Sequence, residues 1–184
     1  GMNAFAIWDS NNSQICLGRD FMGIKPLYYY VNNNFIAFAS EQKAILEIEE
    51  VSRKTNPINC YYYLRFGITD HGEDTMFEGI KQLEAGKYAI IKTNSENKTI
   101  SHHEHWKEKI EKGKYENVSQ VISDFKSKFY ESISLHLRSD VEVGVALSGG
   151  VDSSAIALGV RALYPDRNIH AFSFVANDSL SSEE

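Results

Sequence analysis

The chain has 184 residues, of which 42% are apolar and 24% charged, with a formal net charge of -6, the balance of a globular protein of one or two domains. The acidic surplus, with no block of Lys and Arg, argues against nucleic acid as a partner, and no apolar run reaches the ~18 residues of a membrane span. Cys16 and Cys60 are the only cysteines; with no CxxC pair and no secretory leader they read as reduced, structural thiols in a cytoplasmic protein.

Residues 2–9, MNAFAIWD, begin with a strand pattern, Phe5, Ile7 and Trp8 standing among small residues. Asn11-Asn12-Ser13 is a turn and residues 15–18 are a second short strand, so a hairpin is predicted. Pro26 pushes Lys25 toward an extended conformation. Residues 27–31 form an aromatic-rich third strand, and residues 35–39 a fourth after the Asn32-Asn33-Asn34 turn. Four short strands with tight turns predict an antiparallel meander. A helix follows over 40–46 with Ser40 as N-cap. Asn56-Pro57 begins a second helix, which passes through Tyr61, Tyr62, Tyr63, Leu64 and Phe66 and stops at Gly67. Residues 75–83 read as irregular. Residues 88–92 are a clear strand, and residues 100–106 pair back onto it after a turn at 94–97.

Residues 107–117 are charged, broken by Gly113, and predict a linker. The strongest helix covers 118–137, where Val118, Val121, Ile122, Phe125, Phe129, Ile133 and Leu137 recur at three- and four-residue steps. The stretch DVEVGVALSGGVDSS, residues 140–154, follows. Val143, Val145, Ala146 and Leu147 have the composition of a strand covered on both faces, as in a parallel sheet. Ser148-Gly149-Gly150 cannot continue it, because adjacent glycines permit positive φ and close approach to the backbone. Asp152, Ser153 and Ser154 are N-cap candidates for a helix over the next residues. That helix ends at Tyr164-Pro165-Asp166, and residues 169–175 are a further strand, completing a βαβ unit. Free amides and the dipole at the helix start favour an anion over the Gly-Gly turn, most often phosphate. No lysine follows the glycines, so this is not a Walker A loop, and G-x-G-x-x-G is absent.

The motif S-G-G-x-D-S resembles the pyrophosphate loop of the ATP pyrophosphatase superfamily. In combination with GMNAFAIWD, GRDFMGIKPLYYY, FIAFASEQKAIL, YYYLRFG and TMFEGIKQLEAGKYAIIK, the chain resembles glutamine-dependent asparagine synthetases along nearly its whole length. The resemblance implies an α+β fold over residues 1–106, part of an N-terminal-nucleophile antiparallel sandwich of a glutaminase-like domain. The linker at 107–117 would then lead into the start of an α/β parallel-sheet ATP-pyrophosphatase domain over 118–184. It implies ATP and Mg²⁺ as cofactors, with aspartate and glutamine as substrates of the parent enzyme.

Carried over residue by residue, Ser148, Gly149, Gly150, Asp152 and Ser153 would cradle pyrophosphate, with Asp152 also acting on Mg²⁺. Leu147 would offer a backbone contact to the adenine, and Phe174 would stand beside it where the family has a small aliphatic residue; both read equally well as core residues. The family's nucleophilic cysteine and glutamine-holding residues lie upstream of the GMNAFAIWD segment, so no catalytic residue is assigned. The expectation is a fragment that by itself turns over neither glutamine nor aspartate. A β-lactam synthetase-like ligase, a stand-alone nucleotide-binding protein and a non-catalytic module that assembles through exposed sheet edges share these features. Arg19-Asp20 and Lys25, the two tyrosine triplets, and His102, His103 and His105 read as structural rather than as sites, the Arg19-Asp20 segment as a buttress between the two domains and the tyrosines as core or interface.

Overall fold

The computed structural model describes residues 1–69, 72–93, 98–105 and 117–174. The chain divides into two compact units, Gly1–Ile110 and Glu111–Glu184. Apart from Asn117 the expected linker lies outside the described residues, as do the turn at 94–97, residue 106 and the strand end at 175.

The first unit is a mixed α/β structure built on antiparallel sheets. Its elements are β1 (Ala4–Asp9), β2 (Gln14–Arg19), β3 (Tyr28–Val31), β4 (Ile36–Ala39), α1 (Gln42–Leu46), α2 (Pro57–Phe66), β5 (Ile80–Gln82), β6 (Lys87–Lys92) and β7 (Thr99–Glu104). Asn and Asp side chains make the hairpin turns. Asp9 Oδ1 accepts from the amides of Asn11 and Asn12, and Asn32 Oδ1 accepts from those of Asn34 and Phe35. The four leading strands do not form one meander, however. One sheet has the order β1-β2-β6-β7 and the other β4-β3-β5. The break falls at Asp20–Leu27, where the chain crosses between sheets. Local turn chemistry specified each hairpin but carried no information on which later strand would pair with it.

The two sheets bury a shared core. Leu17, Ala89 and Ile91 from the first sheet meet Tyr29 from the second and Leu27 and Leu83, which adjoin its strands β3 and β5. Alternation along β3 turns Tyr28 and Tyr30 to the opposite face, where Ala37, Ile80, Val51 and the α1 residues Ile45 and Leu46 form a second cluster. Glu41 rather than Ser40 occupies the N-cap of α1, without a side-chain cap bond. The stretch expected to be irregular contains β5. Buried Thr75 donates to the Ile80 carbonyl at 2.8 Å, and Ile80, Lys81 and Gln82 pair with Tyr30, Tyr29 and Tyr28. Three residues are too few for a periodic signal, so long-range pairing decides the strand.

Helix α2 begins and ends as its sequence requires. Asn56 Oδ1 accepts from the amides of Ile58 and Asn59, Pro57 sits in the first turn, and Gly67 takes the left-handed φ of 69° that ends the helix. Its tyrosines do not enter the core: Tyr61, Tyr63, Ile58 and Leu64 are exposed, and Asn59 is the helix's buried residue.

The second unit consists of α3 (Val118–His136), β8 (Gly144–Ala146), α4 (Val151–Leu163) and β9 (His170–Phe172). β8 and β9 are parallel, with Gly144, Val145 and Ala146 opposite His170, Ala171 and Phe172, and α4 lies between them in sequence. Ile133, Val145 and Val160 form the buried centre, flanked by Phe129, Leu137, Ala157, Leu163 and Ile169. Two expectations are corrected here. The apolar stripe of α3 is used only in its C-terminal half, for Val118, Ile122 and Phe125 are exposed. β8 is not covered on both faces: Val145 is buried by α3 and α4, while Gly144 and Ala146 are exposed. An apolar run reports what a strand can bury, and the described residues cover one face of it.

Candidate functional site

The loop that joins β8 to α4 is the one place where the sequence concentrates chemistry. Ser148, Gly149, Gly150, Asp152 and Ser153 are brought together there. Gly149 has φ 76°, and a Cβ built on it would meet nothing within 4 Å. The glycine is therefore needed for the left-handed backbone and not for lack of space. The helix starts earlier than expected, its N-cap lying two residues before Asp152, the first of the N-cap candidates. Gly150 is the N-cap, with no side-chain cap bond, and Ser154 is the residue whose amide returns to the Gly150 carbonyl, at 3.1 Å. The amides of Val151, Asp152 and Ser153 precede that first rung and have no acceptor within the helix. Val151 is 85% exposed. A glycine cap thus leaves the positive end of α4 open to an anion.

Ser148 and Ser153 hold the loop in shape. Ser153 Oγ donates to the Gly150 carbonyl at 3.1 Å, accepts from the Ser148 amide at 3.3 Å, and lies 3.2 Å from Ser148 Oγ. With its own proton on Gly150, Ser153 Oγ is the acceptor of the hydroxyl pair. Both hydroxyls can rotate to donate to an incoming anion, since a serine proton turns freely about its C–O bond.

Asp152 lies exposed in the first turn of α4. No group of three or more His, Cys, Asp or Glu able to hold a metal exists among the described residues. One carboxylate beside an anion loop fits Mg²⁺ carried in on phosphate oxygens, because Mg²⁺ is commonly held by one or two carboxylates together with substrate phosphates and water.

Leu147 and Phe174 flank the loop at the ends of the two strands. The Leu147 amide donates to the Phe172 carbonyl at 2.8 Å, and the Leu147 carbonyl accepts from Ser173 Oγ at 2.6 Å. Any backbone contact from Leu147 to a ligand therefore runs through a carbonyl that already has one partner. Phe174 is 63% exposed, so it is not a core residue among the described residues. Ser173 escaped the sequence reading. Its signal was a hydroxyl between Phe172 and Phe174 at the carboxyl end of a strand, the end at which open parallel sheets bind ligands. A cavity of about 480 Å³ in this unit is lined mostly by apolar residues, among them Phe129, Ile133, Val145 and Ile156, together with Ser132 and His136; no residue of the β8–α4 loop lines it.

Arg19, Asp20, His103 and His105 make their contacts within the first unit. Arg19 donates to the carbonyls of Lys25, Gly23 and Leu83 at 2.7–2.8 Å. Asp20 accepts from the amides of Met22, Ile24 and Lys25. All of these bonds stay inside the first unit, where they pin the crossing between its two sheets. His103 stacks on Tyr88 with ring centroids 4.8 Å apart, and His105 Nε2 lies 2.7 Å from the Arg19 carbonyl. Cys16 and Cys60 are unpaired, and burial pushes the Cys16 thiol up.

Comparison with known proteins bears on both units. The family model of the glutamine amidotransferase domain matches residues 1–106, and that of asparagine synthase matches residues 124–184. The chain is 32% identical over 177 residues to putative asparagine synthetase (glutamine-hydrolyzing) 2 of Methanocaldococcus jannaschii, covering 94% of this chain and 33% of that protein. It is 32% identical over 191 residues to asparagine synthetase (glutamine-hydrolyzing) 2 of Bacillus subtilis, covering 100% of this chain and 25% of that one. It is also 32% identical over 161 residues to amidase chry2 of Gibberella zeae, covering 85% of this chain and 23% of that protein. The chain thus spans a third or less of the length of these curated relatives.

Proposed function

Since this chain belongs to the glutamine amidotransferase domain family through its residues 1–106, we propose that it is a portion of an ATP-dependent, glutamine-using asparagine synthetase. The observation that carries this reading is the S-G-G-x-D-S loop at the β8–α4 junction, within the segment that matches asparagine synthase. In that reading residues 1–106 are part of an N-terminal-nucleophile sandwich. Residues 118–184 begin an ATP-pyrophosphatase domain, and 107–117 connect them.

The amides of Val151, Asp152 and Ser153 and the hydroxyls of Ser148 and Ser153 converge on the pyrophosphate of ATP. Their task is electrostatic. When the side-chain carboxylate of aspartate attacks the α-phosphorus, the bond to the bridging oxygen breaks and negative charge grows on the departing pyrophosphate. Preoriented donors stabilise that charge more than they stabilise bound ATP. Asp152 would hold a Mg²⁺ ion brought in with ATP, and the ion would supply further neutralisation of the same charge. Ammonia drawn from glutamine then displaces AMP from the aspartyl adenylate and leaves asparagine.

Calorimetric titration of the 184-residue chain with inorganic pyrophosphate and with Mg·ATP tests the loop. Both should bind, and Gly149→Ala should weaken both by about tenfold. A side chain in the left-handed region costs ~1–2 kcal/mol, and 1.4 kcal/mol is a decade of affinity. Asp152→Asn should remove the gain in pyrophosphate affinity on adding Mg²⁺. No heat from either ligand at millimolar concentration would count against the reading. Similarity to a protein named an amidase supports a second reading, a related amidotransferase-type ligase with a different carboxylate acceptor. Aspartate-dependent pyrophosphate release by the protein that contains this chain separates the two.

A further inference from the structure

The peptide between Leu147 and Ser148 is the point at which β8 gives way to the loop, and a serine hydroxyl holds it on each side. Its carbonyl accepts from Ser173 Oγ, just past β9, at 2.6 Å. Its amide donates to Ser153 Oγ of α4 at 3.3 Å. Ser153 Oγ in turn donates to the carbonyl of Gly150, the N-cap of α4, at 3.1 Å. A carbonyl cannot donate, so the first proton belongs to Ser173, and every bond from there runs in one direction. The Ser173 hydroxyl gives to the peptide carbonyl, the peptide amide to the Ser153 hydroxyl, and that hydroxyl to the Gly150 carbonyl. Bonds aligned in this way polarise and strengthen one another. On the other side of Leu147 its own amide is fixed to the Phe172 carbonyl by a backbone bond. The rotation left to the strand end is therefore that of the 147–148 peptide plane, and the Ser173 hydroxyl opposes it from outside the loop.

We propose that Ser173 is a positioning residue for the phosphate loop, acting through the Leu147–Ser148 peptide. This rests on the loop reading above and deepens it. In this role Ser173 touches no phosphate. It holds the plane whose amide engages Ser153, so that the Ser148 and Ser153 hydroxyls and the first amides of α4 face one point before the anion arrives. Without its bond the plane gains a second arrangement, turned toward water, in which Ser148 and Ser153 part. The apparent affinity for an anion then falls in proportion to the molecules still in the binding arrangement. Loss of one hydrogen bond from such a balance corresponds to about three- to tenfold.

Calorimetric titration of the 184-residue chain with inorganic pyrophosphate, beside the assigned amide nuclear magnetic resonance spectrum of the free protein, tests this in the wild type, Ser173→Ala and Ser173→Thr. The alanine variant should bind pyrophosphate about three- to tenfold more weakly, and threonine, which keeps the hydroxyl, should restore most of the affinity. In the free protein the Ser148 amide resonance should shift in Ser173→Ala and return in Ser173→Thr, because losing the donor on a carbonyl weakens the polarisation of the N–H across the same peptide. Added to Ser153→Ala, Ser173→Ala should cost less affinity than it does alone, since both hydroxyls hold one plane. An alanine variant that binds pyrophosphate as the wild type does overturns the proposal even if its melting temperature falls, for Ser173 then serves the fold only. A loss that threonine does not rescue, an unmoved Ser148 resonance, or additive losses with Ser153→Ala overturn it as well. Failure of the wild type to bind pyrophosphate overturns the phosphate-loop reading and the positioning role with it, a result distinct from the others because wild type and variants then fail alike.

Discussion

Asp20 is buried beside Arg19 at the crossing between the two sheets of the first unit. Burial alone raises its carboxyl pKa, but the amides of Lys25, Ile24 and Met22 and a backbone group of Asn3 outweigh that and hold it below its ordinary 3.8. A depressed folded-state value gives stability that is fully present above about pH 3.8 and is lost as pH falls through the lower folded-state value. Asp20→Asn should therefore melt at a lower temperature than wild type at neutral pH, because an amide NH₂ must face backbone donors. The gap should narrow as pH drops below the ordinary carboxyl range. A gap that stays constant across that range in thermal melts would show that Asp20 does not act through its charge. At this scale the sequence marked Arg19 and Asp20 as structural but gave no clue to their partners. Leu83 lies 64 residues from Arg19 and meets it only through the fold. Ser173 was missed for the same reason, since its partner is the carbonyl of Leu147 on another strand.

Elements were legible to the extent that their signals were local. Helix α2 followed from Asn56, Pro57 and Gly67, each acting on its own backbone. The long amphipathic α3 and the hairpin turns at Asp9 and Asn32 were readable in the same way. β5 was not, because its residues are extended only against β3. The α3–α4 contact gives a prediction of this scale. A Cβ on Gly159 would collide with Ile133 Cδ1, and both residues are buried. Alanine at 159 brings a helix-propensity gain of ~1 kcal/mol over glycine, whereas overpacking costs ~1–3 kcal/mol. Gly159→Ala alone should be neutral to destabilising by ~1–2 kcal/mol on these figures. In an Ile133→Val background, which removes Cδ1, the same change should be stabilising. Chemical denaturation of the four proteins measures the coupling directly. Additive effects would mean that the helices do not meet at these two residues.

Across the whole molecule the two units differ in kind: one is organised by antiparallel sheets around a shared core, the other by two helices on a short parallel pair. No helix among the described residues is long and apolar enough to cross a membrane. If the units are separate domains, as proposed, they should unfold separately. Trp8 and Trp106 both fall in the first unit, whereas α3 and α4 hold 19 and 13 of the helical residues against 5 and 10 in α1 and α2. Tryptophan fluorescence and far-ultraviolet circular dichroism should then give non-coincident denaturation curves; superimposable curves would indicate one cooperative unit. The sequence by itself determined the turns, the caps of α2, the amphipathic length of α3 and the Ser-Gly-Gly loop, because each depends on residues within a few positions of one another. Tertiary structure alone decided that the leading hairpins part into different sheets, that β5 is a strand, that α3 buries half of its stripe, and that Ser173 points its proton at Leu147. Those outcomes depend on which surfaces meet, and that is set by packing between segments far apart in the chain.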